Sequence, residues 1–390
     1  MGWKEELEIA EGVSPGDAAV CAEHCDDDSL KEWIAARASE QHCDYCPREA
    51  SDPIAVPLDE LADHVFHSLQ LEYDGADDAG VYFESKEGGY QGPVSPTYDV
   101  LLDEGVANHG GLLAHLAQAW DGQDWIRRDV WALSDHEALG TGWERFRQIV
   151  TNERRYWFTL AGPDPDEPTA VPPDRLLPAV GAAIEQAGIV RRLDAGSHLF
   201  RAHTHTPAER LTGAERLGAP PASHAAANRM SPAGIPLFYA AEDQETAIIE
   251  VRAAETDPDR TEVTVGLFET TCDLAIVDLC DLPQIPGLFD EARATSRGAL
   301  TFLRSFVAQL AEPVVRDGSE HVEYVPTQVF SEWLRWEFRP DGDMIAGVRY
   351  SSSRTAGECV ALFVSSAADH QQADRRQCDC LHLVDELRPT

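Results

Sequence analysis

"NRMSPAGIPLFYAAEDQETAIIEVR", running from Asn228 to Arg252, is the stretch on which the fold turns. It reads as a turn, a short apolar strand ending near Tyr239, and a helix carrying Glu250, with small, apolar or turn-forming residues nearly everywhere between. Around it lie further short β-like runs, "HLFRAH", "EVTVGLF", "LAIVDL", "IAGVRYS" and "ECVALFVS", and helical stretches, "DEARATSRGALTFLRSFVAQL" and "TQVFSEWLRWEF". Strands mixed irregularly with helices predict an α+β fold over a regular βαβ repeat. There is no internal repeat and no glycine fingerprint for a dinucleotide or phosphate loop.

Upstream, the composition predicts separate units. Residues 161–174, "AGPDPDEPTAVPPD", carry five prolines and read as a linker, continued by a connecting helix to residue 195. Residues 1–50 read as a cysteine-rich zinc-binding segment around the amphipathic "SLKEWIAARAS", residues 51–160 as a mostly helical domain, and residues 196–390 as the main α/β domain. The segment "GWERFRQIVTNERRYWF" sets Trp143, Phe146, Ile149 and Val150 on one helical face, which implies packing rather than ligand binding.

The chain has 390 residues, 43% of them apolar, enough for more than one buried core. Its formal net charge is −38, and the only lysines are Lys4, Lys31 and Lys86. Such a field repels nucleic acid and anionic membranes, so an anionic ligand has to be gathered by a local cluster of arginines. No run approaches the roughly 18 apolar residues of a membrane span and the start lacks a signal peptide, so a cytoplasmic location with no membrane or nucleic-acid partner is expected. The oligomeric state is left open, a homo-oligomer included.

In a reducing compartment nine cysteines point to metal or buried thiols. Cys21 and Cys25 precede Cys43 and Cys46, two close pairs of the kind that deliver four soft ligands to a structural Zn2+; His24 and His42 stand beside them as substitutes. Cys378, Cys380 and His382 form a weaker group, and Cys272, Cys280 and Cys359 read as core residues.

Taken singly, the polar residues of the main domain have plain structural readings. Arg201, in the apolar strand "HLFRAH", suits an ion pair as well as a ligand carboxylate or diphosphate. Glu250 lies at the margin of a helix face, Tyr239 at a strand end, Arg229 in a turn, and Arg349 and Arg354 flank three serines in "GVRYSSSR".

Together with their surroundings these residues resemble the RES domain, named for its arginine, glutamate and serine, over roughly residues 196–370. The start of the chain, "CAEHCDDDSLKEWI" with "CDYC", resembles the HEPN/RES N-terminal domain of longer RES proteins. The resemblance implies a fold similar to ADP-ribosyltransferases and a bacterial toxin that depletes NAD+, in some members by phosphorolysis with inorganic phosphate as co-substrate, held by a cognate antitoxin or regulatory protein. Arg201, Glu250 and Ser352 match the family triad, with Ser351 and Ser353 as adjacent alternatives for the serine; Arg229 and Tyr239 match its central motif, and Arg349 and Arg354 are added as substrate-binding cations. Two departures stand out: "ANRMS" replaces the frequent "GGRWN", and no Arg-x4–6-His ribonuclease motif occurs between residues 53 and 160. Transfer of ADP-ribose to a macromolecule, or a catalytically silent zinc-containing interaction module, are the alternatives.

Overall fold

The computed structural model describes residues 18–84, 89–120, 123–128, 130, 132–311, 320–363 and 380–388. The chain divides into two compact units, residues 1–134 with 284–298, and residues 135–283 with 299–390.

The first unit runs β1 (Ala19–Cys21), α1 (Asp28–Arg37), β2 (Ala55–Pro57), α2 (Leu58–Leu69), β3 (Tyr73–Gly75), β4 (Phe83–Glu84), β5 (Gly89–Tyr90), β6 (Ser95–Pro96), α3 (Thr97–Asp103), α4 (Gly110–Ala119) and β7 (Asp124–Arg127). Asp27 caps α1 by accepting the Leu30 N–H at 3.0 Å. Leu30, Ile34, Leu61, Val65 and Leu116 bury the apolar stripes of three helices in one core, closed by Leu288 and Phe289 from the distant segment. That segment is held by His64 Nε2 against the Phe289 carbonyl at 3.1 Å and by Arg297 on Glu72 at 3.0 Å.

The second unit contains α5 (Asp135–Gln148), α6 (Pro173–Gln186), β8 (Val190–Leu193), β9 (His198–His205), α7 (Ala214–Leu217), β10 (Phe238–Ala241), α8 (Gln244–Ala254), β11 (Glu262–Thr270), β12 (Leu274–Asp278), α9 (Arg297–Ala311), α10 (Glu320–Glu323), α11 (Val325–Trp336), β13 (Gly347–Ser351), β14 (Glu358–Leu362) and β15 (Leu381–Leu387). One sheet takes the order β15-β11-β9-β10-β14-β13-β12-β8. Its neighbours are antiparallel except β12 and β13. The mixture of helices with a largely antiparallel sheet is the expected α+β class.

Two boundaries differ from the sequence reading. The proline-rich stretch does not separate the units: Val171 N–H donates to the Ala138 carbonyl at 3.0 Å, and Pro173 already begins α6. The helix with Trp143 belongs to the second unit, where its indole meets Phe306 edge-on at 4.8 Å and packs with Leu176, Val180 and Phe330. Periodicity identified the apolar face of that helix but could not name the surface it covers. The connecting helix ends earlier than expected because Gly188, at φ 60°, turns the chain into β8.

Trp143→Ala should open a large cavity and destabilise the second unit by about 3–5 kcal/mol. Hydrogen exchange should then quicken in β13 and β14 with α2 and α4 unaffected; faster exchange in α2 and α4 instead would return this helix to the first unit.

Candidate functional site

The sheet of the second unit opens beside β10. β9 pairs with β11 through eight registered residues, but with β10 through only Phe200 and Ala241. Toward Tyr239 the two strands part, and the Tyr239 carbonyl takes its hydrogen bond from Arg201 Nη1 at 2.6 Å. The guanidinium lies 5.5 Å above the Phe238 ring. Burial pushes its pKa down to about 10, which still leaves it cationic at neutral pH. Among the described residues no carboxylate pairs with it.

Arg201 lines a cavity of about 540 Å³ shared with Arg229, Tyr239, Glu250, Tyr324, Tyr350, Ser351, Ser353 and Arg354. Asp243 caps α8 by accepting the Thr246 N–H at 2.8 Å, which fixes where Glu250 emerges two turns later. Ser352 lies behind the wall, 7% exposed, and its hydroxyl donates to Glu250 Oε1 while accepting the Arg354 and Thr355 N–H groups at 3.1 Å each. The serine therefore has one orientation open to its proton, toward the carboxylate. Arg354 Nε stands 3.8 Å from the other oxygen of Glu250. Gly357 lets this loop press on the start of α8, since a Cβ there would lie 2.0 Å from Thr246 Oγ1.

Tyr239 OH pairs with Ser231 Oγ at 3.0 Å, and burial pushes its pKa up to about 12, so it is a neutral phenol. Arg229 donates to the Leu310 carbonyl and lies 5.9 Å from the Tyr324 ring. Its turn is pinned by α11, where Thr327 donates to the Arg229 carbonyl and Gln328 Nε2 to the Asn228 carbonyl at 2.8 Å. Sequence patterning missed Thr327, Gln328, Tyr324 and Tyr350, because their roles depend on which element they face and nothing local records that.

Arg349 is a correction. Strand alternation sends Tyr350 to the cavity and Arg349 to the opposite face. There it holds Glu242 at 2.6 Å, Asp278 at 2.9 Å and Glu358, so three carboxylates use its fork and it has the structural role that Arg201 lacks. Of the proposed metal ligands, Cys21, Cys43 and Cys46 come together with His24, whereas Cys25 does not join them. Cys359 is buried as expected; Cys272 is exposed, its sulfur 3.4 Å from that of Cys380. Cys378 lies outside the described residues.

Two outcomes follow from these environments. Arg349→Met should leave buried Asp278 unpaired and cost about 3–5 kcal/mol, read from denaturation midpoints. His203 sits with Nε2 3.2 Å from Arg201 Nε, and burial with that nearby cation pushes its pKa from 6.5 to about 4. Between those values the unfolded chain binds the proton and the folded one does not, so stability falls as pH drops through that window. His203→Asn should flatten the acid limb by up to about 3 kcal/mol; an unchanged pH dependence of urea unfolding would contradict the assignment.

Comparison with known proteins finds two family matches along the chain. Residues 36–164 match HEPN/RES N-terminal domain 1, and residues 198–382 match the RES domain. The first match extends past residue 134 into α5, which packs in the second unit. No curated protein matches. The crystal structure of the M. tuberculosis MbcT–MbcA toxin–antitoxin complex is similar at 16% identity, covering 53% of this chain and 92% of that chain, with a TM-score of 0.27. No helix among the described residues is long and apolar enough to cross a membrane. The chain is a RES-domain protein with a HEPN/RES N-terminal domain 1 ahead of the RES domain.

Proposed function

We propose that the second unit cleaves the nicotinamide–ribose bond of NAD+, with inorganic phosphate as the acceptor. The observation that carries this reading is a half-buried arginine with no carboxylate partner among the described residues, in the same cavity as a glutamate held by a serine. A desolvated cation of this kind is stabilised by an anion, and a guanidinium fork suits a diphosphate or a free phosphate.

In this reading Arg201 and Arg229 hold the phosphates. The bond from ribose C1 to the nicotinamide nitrogen breaks with its electron pair going to nicotinamide, which leaves neutral, so no general acid is required. A phosphate oxygen then bonds to C1, giving ADP-ribose 1″-phosphate. Glu250 would stabilise the positive charge developing on the ribose, with Ser352 fixing which carboxylate oxygen faces it. Tyr239, a neutral phenol, would stack on the nicotinamide, and Arg354 would move from Glu250 to the ligand. Arg349 has no part in binding. The antitoxin that the family resemblance implies would act by closing or distorting this cavity.

With purified protein, NAD+ loss should depend on phosphate and yield nicotinamide and ADP-ribose 1″-phosphate. Glu250→Gln and Ser352→Ala should each slow it at least 100-fold, while Arg349→Met should leave KM unchanged. Label from NAD+ appearing on protein or nucleic acid would sink phosphorolysis in favour of ADP-ribosyl transfer, and free ADP-ribose made without phosphate would mean hydrolysis.

A further inference from the structure

The first unit carries a second group of chemistry-bearing side chains. Cys21, His24, Cys43 and Cys46 each present one ligand atom, all within 4.8 Å of one another. Cys21 ends β1, and residues 22–24 form a single 3-10 turn. Cys21, extended, leads into this turn and His24 closes it, and their ligand atoms meet, while Cys25 resumes extended backbone beyond it and does not join them. The second pair repeats that spacing, Cys46 following Cys43 by three residues. Cys25 is buried elsewhere, its backbone bridging to Ala107.

Three details suit a metal. The Cys21 and Cys46 sulfurs are 3.8 Å apart, and the edge of a tetrahedron with zinc–sulfur bonds of about 2.3 Å is about 3.8 Å. The Cys21 N–H points at Cys43 Sγ at 3.4 Å, the kind of outer contact that stabilises a ligating thiolate. His24 Nε2 is buried with no hydrogen-bond partner among the described residues, an orphan that a metal bond would satisfy. His24 is also wedged by the His109 ring, edge-on at 5.1 Å, which limits its escape.

We propose that Cys21, His24, Cys43 and Cys46 bind one Zn2+ in a closed Cys3His site, with Cys25 excluded. Three soft sulfurs and an imidazole in a tetrahedron favour zinc over magnesium or calcium, and four protein ligands leave no open position for catalysis. The ion joins the end of β1 to a knuckle 22 residues downstream and so fixes the N-terminal edge of the core of the first unit.

The test uses the full chain purified without a metal-affinity step, and its readout is independent of NAD+ chemistry. Elemental analysis should find about one zinc per chain, and zinc X-ray absorption should count three sulfurs and one nitrogen. Cys25→Ser should keep the zinc, whereas His24→Ala and Cys43→Ser should bring it to background and lower the melting temperature of the first unit. If those variants do not fold, the sulfur count of the wild type decides alone. Absence of zinc, iron in its place, four sulfurs, or loss of zinc from Cys25→Ser would each overturn the assignment.

Discussion

The parting of β9 from β10 is the constraint on which the site depends. A strand that leaves its neighbour exposes backbone groups that must be paired in some other way. Here the Tyr239 carbonyl is paired by Arg201, so the residue that seals the gap is also the one whose charge faces the cavity. Mending the sheet and presenting a cation are one act, and neither can be adjusted without the other.

The opposite wall works by the same economy of parts. Ser352 accepts two backbone N–H groups of its own loop, and so has its hydroxyl proton directed at Glu250. Removing the hydroxyl would loosen both the loop and the carboxylate. Contrast this with Arg349, three residues earlier, which makes stronger and more numerous ionic contacts and yet adds nothing to the cavity. A saturated arginine is structural; an arginine left short of anions is available for a ligand.

Much of this was legible from residue patterns, and the failures have physical causes. The turn, strand and helix of residues 228–252 formed as read, because period and turn chemistry are local. The fate of "GVRYSSSR" was not local: alternation puts Tyr350 and Arg349 on opposite faces, and only the pairing of β13 with its neighbours tells which face holds the cavity. The strand at residues 381–387 escaped notice because an edge strand alternates weakly and buries little. Spacing found the metal-like pairs, but choosing His24 over Cys25 needed the backbone path after Cys21, a single tight turn that ends at His24 and leaves Cys25 on the extended segment beyond.

The excursion of residues 284–298 carries a consequence for synthesis. A domain at the start of a chain ordinarily folds as it leaves the ribosome, before the next is made. Here the core of the first unit includes Leu288 and Phe289, so it cannot close until most of the chain has emerged. By then β8 to β12 of the second unit are already out. The two units are thus timed to mature together: the core of the first waits for Leu288 and Phe289, and the approach of Ser352 to Glu250 waits for β13 and β14, so neither exists early.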